Sequence, residues 1–389
     1  MQKLQINIFT TDLIWIGTVD AVESLVHRTS WHEILSSEMS ISKTAQGVDE
    51  LQIGRILVVN NQKDKTLIIE DLTASLDDEF IHYTLIPLKG MLNYRIAHPV
   101  DSGGGSGGKW TAKRQSEVMM WLATDNLIYQ TRDPDRKFWD STGLKNMFRI
   151  AALKSFGETI DFTVDWKTGY LGDTIVDVSK MYGITTTAPL GWNVYITDDF
   201  SAFEMDVWYG SHKHINQATL PPVVFSEEFG NIKDASYEYS IKEWRNVAYM
   251  IWTDASDVLQ ESPVGNTDHG ATISFNRKEI VIDSSKEIIG EVISEGRSEL
   301  NKRPHVQSFQ AEIINNTNTL STYKNDWNLG DIVTIQSRAI LKNQLISIDA
   351  QITAIEETYA DGEYSINATF GEGRLSIFQL IKQSIEQKK

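Results

Sequence analysis

The 389-residue chain is long enough for two or three domains with sizeable cores, and 41% hydrophobic and 10% aromatic residues exclude a disordered polymer. Thirty-six basic against 53 acidic residues give a net charge of −17, which repels phosphates and excludes a tight nucleic-acid groove, while also serving solubility. The absence of cysteine removes disulfides, thiolate zinc sites and thiol nucleophiles.

In chain order, the first hundred residues read as β-structure. "GRILVVN" and "KTLIIEDL" are apolar runs separated by the polar turn "NQKDK", and "FIHYTLIPL" follows. The opening "MQKLQINIFTTDLIW" lacks the apolar core and cleavage site of a signal peptide. "LIWI" and "ILVV", the strongest apolar runs, are too short to cross a bilayer, so no membrane insertion is expected.

"DSGGGSGGKW" marks a boundary. Gly103, Gly108 and Lys109 fit seven positions of a phosphate-binding loop, but the eighth, which must carry a hydroxyl, is Trp110. A flexible connection over 101–109 is the better reading, and no nucleotide or other cofactor is expected.

Helical spacing follows. Val118, Trp121, Leu122 and Asp125 or Asn126 predict a helix with one apolar side, and Leu171, Ile175, Val178 and Tyr182 predict another ending at Gly183. "WNVYITDD" and "AFEMDVWYG" read as strands, giving a mixed α+β segment over 110–215. Strands connecting to the next domain are expected over 216–275, and a second β-domain over 276–389. There Ser284 and Glu287 form a capping-box pattern before Ile288, Ile289, Val292 and Ile293. Ile346, Ile348, Ala350 and Ile352 alternate with Ser347, Asp349, Gln351 and Thr353, and Tyr364, Ile366, Ala368 and Phe370 continue the pattern. "RLSIFQLIKQSIEQKK" predicts a terminal helix.

An internal similarity links the two β-regions. From Gly54 to Gly90 and from Gly330 to Gly371 the order is glycine, apolar strand, loop, alternating strand, acidic turn, alternating strand, glycine. A duplicated barrel is the expectation, although alternating strands also resemble one another by default.

No residue set points to catalysis or metal binding. His212 and His214 would share a strand face but lack further ligands. The acid doublets Asp77–Asp78, Asp198–Asp199, Glu227–Glu228 and Glu356–Glu357 arise by chance in so acidic a chain, and a glycosidase pair needs a separation of roughly 5–10 Å that sequence does not show. Trp166 and Tyr170 in "DWKTGYLGD" could hold a sugar, though packing explains them as well.

"PVVFSEEFGNIKDASYEYSIKEWRNVAYM" resembles the central signature of the tail-hub proteins of siphovirus-type phages, at Phe225, Ser226, Phe229, Gly230, Asn231, Tyr237 and Asn246. "VDAVESLVHRTSWHEILSSEMSIS", "LQIGRILVVNNQKDKTLIIEDL" and "LGDIVTIQ…ITAIEETYADGEYSINATFGEG" resemble further stretches in the same order, the last at Leu329, Gly330, Asp331, Val333, Phe370 and Gly371. "EILSSEMSI" departs from the family's opening pattern, and the Gly/Ser run has no match there.

The resemblance implies an α+β, β-rich fold with two tube-type antiparallel β-barrel domains, 1–100 and 276–389, around a peripheral domain, three chains forming a pseudo-sixfold homotrimeric ring. It implies a structural, non-enzymatic role at the virion's tail tip, closing the tail tube, converting sixfold to threefold symmetry and passing DNA without tight binding. The partners implied are the distal tail protein, the tape measure and a central fibre. A tail-associated peptidoglycan hydrolase is the competing reading; the chain stops eighteen residues after Gly371, which leaves no room for such a region. A carbohydrate-binding module in the Trp-containing middle segment is a third.

Overall fold

The computed structural model describes residues 4–99, 108–129, 133–165, 168–181, 190–265, 272–303, 306–314, 322–338, 340–341, 345–360 and 362–372. Gly103, Trp166, Tyr182, Gly183 and the expected C-terminal helix lie outside them.

The first β-region contains β1 (Ile6–Phe9), β2 (Trp15–Val19), β3 (Val22–Ser30), β4 (Ser37–Ser42), β5 (Ile56–Val59), β6 (Thr66–Ala74) and β7 (Phe80–Pro87). Their order in the sheet is β2-β1-β5-β6-β7-β4-β3, all neighbours antiparallel. All seven send a side chain into one cluster, including Ile8, Val19, Leu25, Met39, Leu57, Leu67 and Leu85. A flat sheet of seven strands would be about 29 Å wide at ~4.8 Å per strand, so shared burial of one face requires the sheet to curl. The other face is also covered: Phe9, Ile56, Val58, Ile68 and Ile86 pack into the core of the middle segment. Burial on both faces is why "ILVV" is apolar without alternation.

The middle segment comprises β8 (Lys109–Arg114), α1 (Gln115–Leu127), β9 (Phe148–Ile150), β10 (Thr159–Thr163), α2 (Leu171–Ser179), β11 (Gly191–Ile196) and β12 (Phe203–Trp208). Glu117 opens α1 by accepting a 3.0 Å bond from the Arg114 amide. The one-sided helix read from Val118 and Leu122 is in fact central, for Met119, Met120, Ala123 and Leu127 are equally buried. Leu171, Ile175 and Val178 share the buried side of α2.

The second β-region is built from β13 (Val224–Ser226), β14 (Ile232–Ser240), β18 (Val306–Ile313), β19 (Ile332–Ser337), β20 (Ile346–Ala360) and β21 (Glu363–Glu372). Between β14 and β18 lies a small unit in which β15 (Val247–Thr253), β16 (Leu259–Gly265) and β17 (Glu279–Ser284) carry helix α3 (Ile289–Asn301). The capping box read at Ser284 and Glu287 is not used. Ser284 ends β17 and hydrogen-bonds Glu295 and the Lys286 amide, while α3 starts five residues later. Ile288 and Ile289 are half exposed; Val292 and Leu300 form the buried face over Met250.

The second sheet runs β14-β18-β21-β20-β19-β13. If β1 is set aside, this is the order of the first sheet, β3-β4-β7-β6-β5-β2, strand for strand in chain order. β13 lies parallel to β19. β2 is likewise parallel to β5, because β1 is antiparallel to both. The likeness reaches single bonds. Gly54 and Gly330, at φ +84° and +90°, precede β5 and β19, and their amides donate at 2.8 Å to Ile69 and Ile352. Directly after those isoleucines, β6 and β20 each carry a register shift against the next strand. The closing glycines do not correspond: Leu85 stands opposite Ile69 as Phe370 stands opposite Ile352, so Gly371 matches Ile86 rather than Gly90.

The expected closed barrels are a correction. β2 and β3 are chain neighbours at opposite ends of the first sheet, as β13 and β14 are in the second, and neither pair forms a ladder. Instead, β20 extends past its own sheet and pairs along 354–360 with β3, joining both sets into one sheet of thirteen strands.

An added Cβ at Gly330 would stand 2.1 Å from the Trp31 ring, whereas Gly54 has open space around it. Gly54→Ala should therefore cost about 1 kcal/mol from backbone strain alone, and Gly330→Ala about 3 kcal/mol or more, in urea unfolding. On α1, burial pushes the Asp125 carboxyl up to about 7, and neither oxygen has a hydrogen-bond partner. Its folded value exceeds its unfolded one, so stability is lost as pH rises through about 7. Asp125→Asn should remove that loss, gaining about 1–2 kcal/mol at pH 8.5 and little at pH 4.

Candidate functional site: the joint between the two sheets

The polar groups that converge deep in the chain do so where β20 meets β3. The turn Ser30–His32 ends β3 and touches every layer. The Trp31 amide and the Ser30 hydroxyl both donate to the carbonyl of Thr353, the residue skipped by the β20 ladder, at 2.9 and 3.2 Å. Lys89, buried, donates to the Ser30 carbonyl at 2.8 Å and lies 4.8 Å from the Trp192 ring. The Trp192 indole donates to the His32 carbonyl at 2.9 Å, and His32 Nδ1 meets the Ser179 hydroxyl. Burial, aided by the Lys180 and Lys89 charges, pushes the His32 imidazole well below its usual range. Burial likewise pushes the Lys89 ammonium down to about 7 against the pull of Glu33. The Trp31 ring is buried against Gly330 and Gly191, edge-on to Trp208.

Four residues further along β20, Glu357 is fully buried. Lys65 donates to its carboxylate, Tyr364 donates at 2.5 Å, and His27 Nδ1 lies 3.4 Å away. Lys65 also reaches the Tyr359 hydroxyl at 3.2 Å. Burial resists ionisation of Glu357, but the His27 hydrogen bond and the Lys65 and His27 charges outweigh it and hold the carboxyl down to about 2. The neighbouring Glu356 points outward to Arg28 at 2.7 Å, which also binds Glu38. Tyr359 enters the core of the first sheet.

The signature residues are spread over the second sheet, its turns and the β15 unit. Phe225 and Phe370 pack with ring centroids 5.2 Å apart and planes tilted by 53° in the second core, with Trp327 edge-on to Phe225 and Val333 beside them. Ser226, Phe229, Gly230 and Asn231 make the turn from β13 to β14. The Asn231 amide accepts from the Ser226 N–H and donates to the Val224 carbonyl, at 2.8 and 2.7 Å, while Phe229 is exposed. Tyr237 on β14 receives a bond from Gln307. Asn246 lies apart, tying β15 to Asn276 and Lys278. Leu329 packs on the second core, Gly330 abuts Trp31, and Asp331 accepts from Ser211 and Asn328 and pairs with Lys213 at 3.0 Å. Gly371 receives the Thr353 hydroxyl on its carbonyl. Sequence reasoning missed Trp31 and Lys65 and set Glu357 aside as part of a chance doublet; alternation counted from Ile346 turns Glu357 outward, and only the ladder shift at Thr353 brings it in.

The chemical candidates are dispersed. His212 and His214 have rings 5.7 Å apart, and His214 faces Asp349; among the described residues no group of three or more metal-ligating side chains forms. Glu227 and Glu228 are bound to Ser337 and Arg338, Asp198 pairs with Lys63, and Asp199 accepts from Thr197 and Ser201. Asp78 pairs with exposed His82, and Asp77 is exposed. Gly108 and Lys109 lead into a strand, not a helix; Lys109 pairs with Glu291, and Trp110 packs on Phe162. Tyr170 is half exposed before α2. No described helix is long and apolar enough to cross a membrane.

The family model described as Siphovirus ReqiPepy6 Gp37-like protein matches residues 5–372. The chain belongs to this siphovirus tail-protein family. Its fold is that of several solved tail proteins. The 43 kDa tail protein of prophage MuSo2 from Shewanella oneidensis aligns with a TM-score of 0.56 at 11% identity, covering 95% of this chain and 98% of that one. The tail protein from Neisseria meningitidis MC58 gives 0.55 at 9%, covering 95% and 97%. Prophage tail protein gp18 from Listeria monocytogenes EGD-e gives 0.52 at 11%, covering 98% of each. No curated protein sequence matches. The chain is thus a structural protein of the phage tail.

Removing the buried anion tests this joint. Glu357→Gln leaves Lys65 buried without its counter-charge and should cost about 3 kcal/mol at pH 7. Because the folded carboxyl titrates near 2 and the unfolded one near 4.5, the parent loses this contribution as pH falls through that window. Urea midpoints of parent and variant should converge between pH 5 and pH 2.5.

Proposed function

We propose that this tail protein is the hub at the tail tip, a homotrimeric ring in which each chain supplies two equivalent sheet units, so that three chains present six similar units to a sixfold tube. The observation that carries this reading is the shared strand order of the two sheets, down to the paired bonds of Gly54 and Gly330. A component that meets sixfold symmetry on one side with three chains needs a duplicated unit.

The ring would surround the path of DNA during ejection, and the net charge of −17 suits passage without adhesion, since an acidic wall releases no counterions from the phosphate backbone. The distal tail protein, the tape measure and a central fibre are the neighbours such a position requires. The middle segment, on the outer face of the first sheet, would lie at the ring's periphery.

Light scattering on the purified chain should give about three times 44.0 kDa, rising from monomer with concentration, and labelled antibody should mark the tip of assembled tails in electron microscopy. A mass that stays at one or two chains up to the solubility limit, or label along the tube, would overturn the reading. Release of soluble fragments from purified cell walls would favour a hydrolase instead.

A further inference from the structure

Within the chain, β20 changes partner along its length. Residues 346–351 pair with β19, the ladder skips Thr353, and 354–360 pair with β3. β6 is built to do the same. Its first residues pair with β5, its ladder skips Glu70, and Asp71–Ala74 pair with β7 on one side only. On the other side, where β20 meets β3, no described strand lies against β6. The strand equivalent to β3 is β14, and beyond its pairing with β18 it too has no described strand against it. Each half of the internal joint therefore has a counterpart with an open edge, and open edges template further pairing.

We propose that these edges meet between copies: β6 of one chain adds to β14 of a second copy, repeating the β20–β3 joint between subunits. This rests on the ring reading above and specifies its contact. The strand equivalences set the register. Ala354 corresponds to Asp71 through the shared ladder shift, and Val26 corresponds to Ser236 through the pairing with β4 and β18. Transferring the observed pairs places Asp71 opposite Ser240, Leu72 opposite Tyr239, Thr73 opposite Glu238 and Ala74 opposite Tyr237.

The side chains support that register. Leu72 is 41% exposed where its equivalent, Ile355, is buried, and Tyr239 opposite is 59% exposed. Leu76 is wholly exposed and corresponds to Tyr359, which enters the neighbouring core of the internal joint. One facing pair of exposed side chains, Leu72 with Tyr239, and a wholly exposed Leu76 on the same edge are what a separated β-interface leaves behind. The contact joins unlike surfaces, so it propagates head to tail and must close into a ring or grow. Ala74 and Thr73 replace Glu357 and Glu356, so the contact between copies lacks the charge pairs of the internal one and is the weaker, separable joint.

The chain has no cysteine, which permits a clean cross-linking test. The full-length double variant Leu72→Cys with Tyr239→Cys, oxidised at high concentration, should give reducible multimers ending in one covalent closed species. The off-register control Leu72→Cys with Glu238→Cys should give less than a tenth as much, and Leu72→Lys should weaken assembly at least tenfold with an unchanged melting temperature. If the parent forms the expected oligomer while the double variant does not cross-link and Leu72→Lys assembles normally, the pairing is wrong and the ring stands. If the parent stays monomeric and nothing cross-links, both fall.

Discussion

One strand that belongs to two sheets sets the constraint on which the rest of this fold depends. β20 cannot pair with β19 and β3 on the same side unless one ends where the other begins, and the changeover is at Thr353. There the skipped residue turns its carbonyl toward the Trp31 amide, so the end of β3 is fixed to the point where β20 leaves its own sheet. The Trp31 ring then fills the space left by two glycines, Gly330 and Gly191, from the second sheet and the middle segment. Three separately cored parts are thereby held in one arrangement by a side chain none of them could bury alone.

The same ladder shift explains how a charged residue comes to lie inside. Strict alternation from Ile346 places even-numbered residues inward, and the skipped residue transfers that side to Ile355, Glu357 and Tyr359. Glu357 thus faces the interior between the sheets, and Lys65, His27 and Tyr364 from three other elements satisfy it. A buried ion pair adds little net stability over an apolar replacement, but it penalises every register in which its partners fail to meet. At a joint between two curled sheets, where slippage by one residue would expose a whole face, that selectivity is worth more than strength.

This also marks how far the sequence could be read. The apolar runs 56–59 and 67–69, the alternation from Ile346 and from Tyr364, and the shared plan after Gly54 and Gly330 were legible because burial imposes periodicity on the chain. The seam was not legible. Trp31 sits between Ser30 and His32 with no pattern around it, Lys65 lies in a polar turn, and the role of Glu357 depends on a partner strand 330 residues away. The closed cylinders also failed as an expectation, since whether β2 reaches β3 depends on sheet curvature rather than on side-chain alternation. Gly90 matched Gly371 only by position after a strand; pairing aligns Gly371 with Ile86 instead.

The two sheets differ where their surroundings differ. The first has β1 as an extra strand and is apolar on both faces because the middle segment covers its outside. The second keeps the shorter plan but accepts the β15–α3 unit between β14 and β18, where the first has only a short turn between β3 and β4. Both differences leave alone β20 and β3, the strands that pair at the joint. One pairing geometry is thus built from two different sequences within the chain, and the 9–11% identity to tail proteins of the same fold shows the same tolerance between chains. What such a fold must preserve is the position of a few main-chain edges, which many side-chain combinations can supply.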